Sequence, residues 1–159
     1  MTEWILKQVP NDGKPFTVAE IFRLNLQREA FRRKLLDHWN STQTRTGLDR
    51  PVDAIIAPVA PTLAPKHGET KWWGYTSYWN LADYPAAVFP VSRAGSLNGT
   101  MKVYGRGGGA VVDPEGIVDK LPVCLQLIGR RLNEEKVLAI LNVIDNTVSR
   151  DSDHARKRL

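Results

Sequence analysis

Residues 121–129 read LPVCLQLIG, and this stretch decides how the rest of the sequence is interpreted. Its side chains are nearly all apolar, which is typical of a strand covered on both faces of its sheet. Two further short apolar segments, 52–58 and 86–91, are bounded or interrupted by prolines and are predicted to be strands as well. A possible fourth strand lies at 101–104. Strands of this kind need helices on both faces, so the sequence predicts an α/β fold.

Two helices are predicted from caps and apolar spacing. Thr17 and Glu20 have the spacing of a capping box, and a helix is expected over about 17–40. Asn133 is a candidate N-cap for the second helix, since Glu134 and Glu135 suit its positive N-terminal end. The second helix has an apolar stripe consisting of Val137, Leu138, Leu141, Ile144 and Val148. Two helices and three or four strands are too few to complete a covered sheet, so the sequence predicts an incomplete one.

Length and composition indicate one soluble globular unit. The chain has 159 residues, 42% of them hydrophobic and 25% charged, and a formal charge of +5. The excess charge is attributed to helix faces and to a charged tail at 146–159, so no nucleic-acid partner is expected. No run approaches the roughly 18 apolar residues of a membrane span, and the N-terminus, with Glu3, does not resemble a secretory signal. The single cysteine, Cys124, suits a reducing compartment, and a cytoplasmic location is predicted.

No known motif of catalysis or cofactor binding predicts a site in this sequence. The glycine-rich stretch 105–110 has the spacing of a dinucleotide fingerprint, but Pro114 follows too soon for the helix that such a site needs. No serine lies in a nucleophile elbow, and no zinc-ligand spacing occurs. A small independent hydrolase using Ser77 or Ser92 with a histidine stays open as a minor alternative. No cofactor and no metal are predicted.

The stretch 75–91, YTSYWNLADYPAAVFPV, places polar side chains directly before a predicted strand. Tyr75, Asn80 and Asp83 are therefore candidates for lining a substrate pocket. The alternative is structural: Asn80 and Asp83 would form a turn before Pro85 and hydrogen-bond the backbone. The neighbouring aromatic residues would then cover an apolar surface.

Three blocks of the sequence, 50–68, 75–91 and 121–141, resemble in order and character the C-terminal region of the amidase signature family, especially fungal acetamidase-like and general amidases. The resemblance covers about residues 16–145. It implies the C-terminal part of a mixed-sheet α/β domain with helices on both faces. It also implies hydrolysis of small-molecule amides by a serine that a second serine and a lysine activate, without a cofactor.

The same resemblance indicates what this sequence lacks. The family's Gly/Ser-rich nucleophile segment and its lysine lie in the N-terminal half of the domain, and no GGSSGG-like stretch occurs here. Cys124 stands where relatives usually have glycine. The whole chain, 1–159, is therefore predicted to be one partial amidase domain with no catalytic residue of its own, inactive alone. The alternative is a non-catalytic interaction module that pairs with a full-length amidase, with an amidase N-terminal half or with itself.

Overall fold

The computed structural model describes residues 14–63, 72–93 and 121–156, with side chains up to residue 148. The predicted strand at 101–104 and the glycine-rich stretch at 105–110 lie outside the described residues. The described elements, in chain order, are helix α1 (Val18–Ser41), a short 3-10 helix (Thr42–Arg45), strand β1 (Ile55–Pro58), helix α2 (Gly74–Ala82), strand β2 (Ala86–Arg93), strand β3 (Pro122–Ile128) and helix α3 (Glu134–Arg156).

The three described strands form one sheet in the order β1-β3-β2. Strand β3 is central, and it pairs antiparallel with both neighbours. Ile128 lies opposite Ile55 on one side and Ala86 on the other. The segment that is most apolar in the sequence is thus the one with neighbours on both edges.

Side chains of β3 alternate between two apolar clusters, one on each face of the sheet. Ile128 packs with Trp39, Ala82 and Tyr84, on the side of α1 and α2. Leu127 packs with Phe89 and Val137, on the side of α3. Leu127 and Ile128 are both fully buried. The described chain is therefore a helix–sheet–helix sandwich, which confirms the predicted α/β class with helices on both faces.

Helix α1 begins and ends close to the predicted residues because its caps are local. The Thr17 hydroxyl accepts from the Glu20 amide, and the Glu20 carboxylate accepts from the Thr17 amide at 2.8 Å. Hydrogen bonds from the Thr17 amide and then the Thr17 hydroxyl to the Glu20 carboxylate lower the pKa of that carboxyl below its usual value. At the other end, the Trp39 indole donates to the Val52 carbonyl at 2.9 Å.

Strand β1 is shorter than predicted, beginning at Ile55 instead of Val52. The Val52 amide donates to the Thr42 hydroxyl at 3.0 Å, and its carbonyl accepts from Trp39. Both backbone groups of Val52 therefore bond to the end of α1 instead of to a neighbouring strand.

Helix α2 was not predicted from the sequence. It has nine residues, begins after Trp73 without a side-chain cap, and is rich in aromatic residues of modest helix propensity. Its stability comes from packing: Tyr78 meets Phe31 edge-on with ring centroids 5.4 Å apart, and Trp79 stacks on Tyr84 at 6.2 Å. Trp79 packs against the buried cluster as predicted, whereas Tyr78 and Trp73 are each 41% exposed and Trp72 is 52% exposed.

Local geometry explains a proline at the bulge in β2 and a glycine directly after β3. In β2 the register shifts between Pro90 and Ser92, which is a bulge beside a proline that has no amide to donate. Gly129 follows β3, and a Cβ there would lie 2.3 Å from Val137. Glycine at this position lets α3 lie against the end of the central strand.

No helix in the described part of the chain is long and apolar enough to cross a membrane. Helix α3 continues to Arg156, into the segment interpreted as a charged tail.

Candidate functional site

Asp83 ends helix α2 and turns the chain toward β2. Its backbone is left-handed, with φ of 63°, and its amide donates to the Asn80 carbonyl at 3.2 Å. The predicted turn before Pro85 is present. Aspartate tolerates this backbone conformation better than most residues, which explains its use here.

The Asp83 side chain does not bond the backbone as predicted; it pairs with arginines. Its carboxylate lies 2.7 Å from Arg131 Nε and 3.8 Å from a guanidinium nitrogen of Arg32. Arg32 also donates to the Leu81 carbonyl at 2.9 Å and pairs with Glu29. A cation at the C-terminal end of α2 is favourable because that end carries free carbonyls and a partial negative charge. This arrangement joins α1, α2 and the turn before α3.

Tyr75 lies at the opposite end of α2 from Asp83. The two are eight positions apart along the chain, which is about 12 Å at the rise of an α-helix. Tyr75 is 40% exposed, and its ring meets that of Trp72 edge-on with centroids 4.9 Å apart. Its backbone carbonyl accepts from the Gln126 side chain at 3.1 Å.

Asn80 is exposed on α2, and the structure gives its backbone carbonyl, not its amide side chain, a bonding role. Tyr75 therefore does not meet Asp83, since the two lie at opposite ends of α2. The assignment of Tyr75, Asn80 and Asp83 to a substrate pocket stays a prediction, and Asp83 has the clearest contacts of the three.

An open groove of about 910 Å³ lies between α1 and the turn that follows β3. Tyr84 lies at its floor, with only 9% of its surface exposed. In the described part of the chain its hydroxyl is buried and has no hydrogen-bond partner. Burial raises the pKa of this hydroxyl above its usual value, although nearby Arg130 opposes the shift. Arg130, which lines the groove, donates to the Asn40 side chain on α1 at 3.1 Å.

The structural roles of Gln126 and of the arginine partners of Asp83 were not predicted from the sequence. Gln126 stands in an otherwise apolar strand, is 1% exposed, and donates to both Pro58 and Tyr75 carbonyls. A polar residue inside an apolar run is a signal that could have singled it out. The pairing of Arg32 and Arg131 with Asp83 had no such signal, because the three lie far apart in the sequence.

The candidate nucleophiles are separated from one another in the fold. Ser77 lies in α2 with its hydroxyl 3.5 Å from the Gly74 carbonyl, whereas Ser92 lies near the end of β2. Nδ1 of His38 lies 2.9 Å from the Lys34 carbonyl oxygen on α1. Within the described ranges, no three His, Cys, Asp or Glu side chains gather as metal ligands would.

The described helices and strands form an α/β sandwich with an open groove beside α1. The Amidase family model matches residues 17–138, which is most of the chain. The chain is 36% identical over 147 residues to the acetamidase of Aspergillus oryzae, covering 87% of this chain and 26% of that protein. It is 34% identical over 134 residues to the acetamidase of Emericella nidulans, with 80% and 24% covered.

A solved structure of a fatty acid amide hydrolase is similar with a TM-score of 0.62 and 25% identity. The similarity covers 91% of this chain and 26% of that one. This chain belongs to the amidase family. It spans about a quarter of the length of the relatives it matches.

Proposed function

We propose that this chain is the C-terminal portion of an amidase domain and does not hydrolyse amides by itself. One observation carries the proposal: 87% of the chain matches only 26% of the Aspergillus oryzae acetamidase. The substrates of the complete domain would be small-molecule amides, as the family resemblance implies.

The chemistry of amide hydrolysis supports the inactivity of the isolated chain. Acyl transfer requires an activated nucleophile, a base within hydrogen-bond reach, and donors aimed at the developing oxyanion. The sequence has no GGSSGG-like nucleophile segment and no lysine that matches the family's catalytic one. The Ser77 hydroxyl lies against a helix carbonyl, not a basic side chain.

The direct test is an assay of the purified chain with acetamide and with a simple aryl amide. We expect no ammonia or arylamine release above buffer, whereas the Aspergillus oryzae acetamidase serves as a positive control with acetamide. A fluorophosphonate probe, which labels activated serines, should leave the chain unlabelled. Turnover that is lost in Ser77→Ala or Ser92→Ala would overturn the proposal and favour a small independent hydrolase.

A second candidate function is a non-catalytic interaction module. Strand β1 has β3 as its one neighbour among the described strands, and an edge strand of this kind can pair with another chain. Its partner would be a full-length amidase or a second copy. Size-exclusion chromatography with light scattering tests self-pairing: a stable dimer supports it, and a monomer that unfolds cooperatively argues against it.

A further inference from the structure

The N-terminal half of α1 presents apolar side chains that nothing in the described ranges buries. Val18, Phe22 and Leu26 follow one another at a spacing of four residues, so they share one side of the helix. They are 70%, 65% and 73% exposed. We call these three residues the outer face of α1. A contiguous apolar stripe of this kind is typical of an interaction surface.

The outer face continues into the Tyr84 groove. Arg33 and Leu36 follow Val18 by 15 and 18 residues, which is close to four and five turns of about 3.6 residues. They therefore lie further along the same side of α1, where both line the groove. Across the groove, Leu132 is 77% exposed and has a left-handed backbone, with φ of 61°. An exposed leucine in a disfavoured conformation, lining the same groove as the unsatisfied Tyr84 hydroxyl, indicates that the described residues leave the packing around the groove incomplete.

The core-facing side of α1 does not account for these residues. Phe31 and Leu35 on that side pack against the buried cluster of Trp39 and Ile128. Because the outer face points elsewhere, α1 is apolar over more of its circumference than a surface helix needs. A helix of this kind is normally contacted from two directions.

We infer that the outer face of α1 and the Tyr84 groove dock the remaining part of an amidase domain, the three-quarters of the relatives that this chain does not match. Residues 17–138 match the family, so the outer face belongs to the region shared with amidases. The unmatched length supplies enough polypeptide to cover it. The docking segment would present apolar side chains to Phe22 and Leu26 and an acidic side chain to Arg33. The inference rests on the proposed function and adds the surface through which the missing part binds.

The test is co-expression of the tagged full chain with the part of the Aspergillus oryzae acetamidase that it does not match. We expect the two polypeptides to co-purify in equal amounts. Phe22→Asp and Leu26→Asp should each reduce the captured partner at least tenfold. Leu48→Asp is the matched control, because Leu48 is 65% exposed but lies in the loop after α1, and it should leave capture unchanged.

Three results would overturn the inference. The first is no capture by the unaltered chain, or capture that Leu26→Asp does not change. The second is a dimer of the chain alone that Leu26→Asp dissociates, which would make a second copy the occupant. The third is an unfolding midpoint of the isolated Phe22→Asp chain that falls by more than the low helix propensity of aspartate explains, which would show that another segment of the same chain covers the face. None of these experiments measures amide turnover. A result that overturns the docking surface therefore leaves the proposed inactivity of the isolated chain untouched.

Discussion

At the scale of single residues, Gln126 connects three elements, a role that its residue type alone does not predict. Its side-chain nitrogen lies 2.7 Å from the Pro58 carbonyl and 3.1 Å from the Tyr75 carbonyl. It thereby connects β3 with the end of β1 and the first turn of α2. A buried amide is tolerated in this core because its donors are satisfied.

Gln126→Leu keeps much of the side-chain volume but leaves both carbonyls without this donor. We expect a loss of about 1–3 kcal/mol in the free energy of unfolding, the usual cost of an unsatisfied buried polar group. Urea unfolding followed by circular dichroism measures it.

Gln27→Leu, at an exposed position of α1, is the control and should change stability by less than about 0.5 kcal/mol. Equal stability of the Gln126→Leu and unaltered chains would contradict the proposed role of the two hydrogen bonds.

At the scale of elements, α3 attaches to the sheet by apolar packing and by one ion pair at its N-terminal end. Val137 is buried against Leu127, while Lys136 Nζ lies 2.6 Å from the Asp53 carboxylate just before β1. Arg50 contacts the same carboxylate. Hydrogen bonds from Lys136 and then Arg50 lower the pKa of Asp53 from its usual 3.8.

This pKa shift predicts a pH dependence that Asp53→Asn should remove. A carboxyl with a lowered pKa in the folded state stabilises the fold above its unfolded pKa of 3.8 and loses that contribution as the pH falls through the lower folded value. The difference in unfolding free energy between the unaltered and Asp53→Asn chains should therefore be constant near neutral pH and shrink below pH 3.8. Denaturant titrations over this range measure it.

Asp145→Asn, at an exposed position of the same helix, is the matched control. Its unfolding free energy at neutral pH should differ less from that of the unaltered chain, because the described residues provide no ion pair for Asp145. If the difference in unfolding free energy between the unaltered and Asp53→Asn chains grows as the pH falls, the pKa of Asp53 is not lowered by folding and the prediction is wrong.

At the scale of the whole molecule, β3 couples two apolar clusters that have no buried residue in common. Ile128 belongs to the cluster with Trp39, and Leu127 to the cluster with Val137, yet the two residues are adjacent in one strand. Loss of either cluster should therefore weaken the entire sandwich.

Leu127→Ala should lower the stability of both layers together. We expect a loss of about 2–5 kcal/mol, since a fully buried leucine is removed. Because Trp39 and Trp79 belong to the cluster on the other face of the sheet, the tryptophan fluorescence of the chain should report the same shift in midpoint as circular dichroism.

Leu138→Ala, at a position 61% exposed on α3, is the control for a truncation outside the core. A Leu127→Ala chain whose fluorescence transition stays in place while the circular dichroism transition moves would show that the two layers unfold separately.

The sequence predicted elements whose signals are local. The capping box at Thr17 and Glu20 placed the start of α1 within one residue, and the apolar run at 121–129 placed β3. It did not predict α2, because aromatic residues have modest helix propensity and this helix is stabilised by Phe31 and Tyr84, which lie elsewhere in the chain. Of the three pocket candidates, Asp83 was correctly placed in a turn, but its arginine partners had no local signal.

By itself, then, the sequence determined the α/β class, the bounds of α1 and β3, and membership of the amidase family, since hydrophobic pattern, caps and motif order can all be read along the chain. Only the tertiary structure decided that β3 is central, that Gln126 connects β3 with β1 and α2, and that the described residues leave one side of α1 uncovered. These features depend on contacts between distant residues, such as Gln126 with Pro58, 68 positions apart. Such contacts follow from how the elements pack against one another, and no local pattern encodes them.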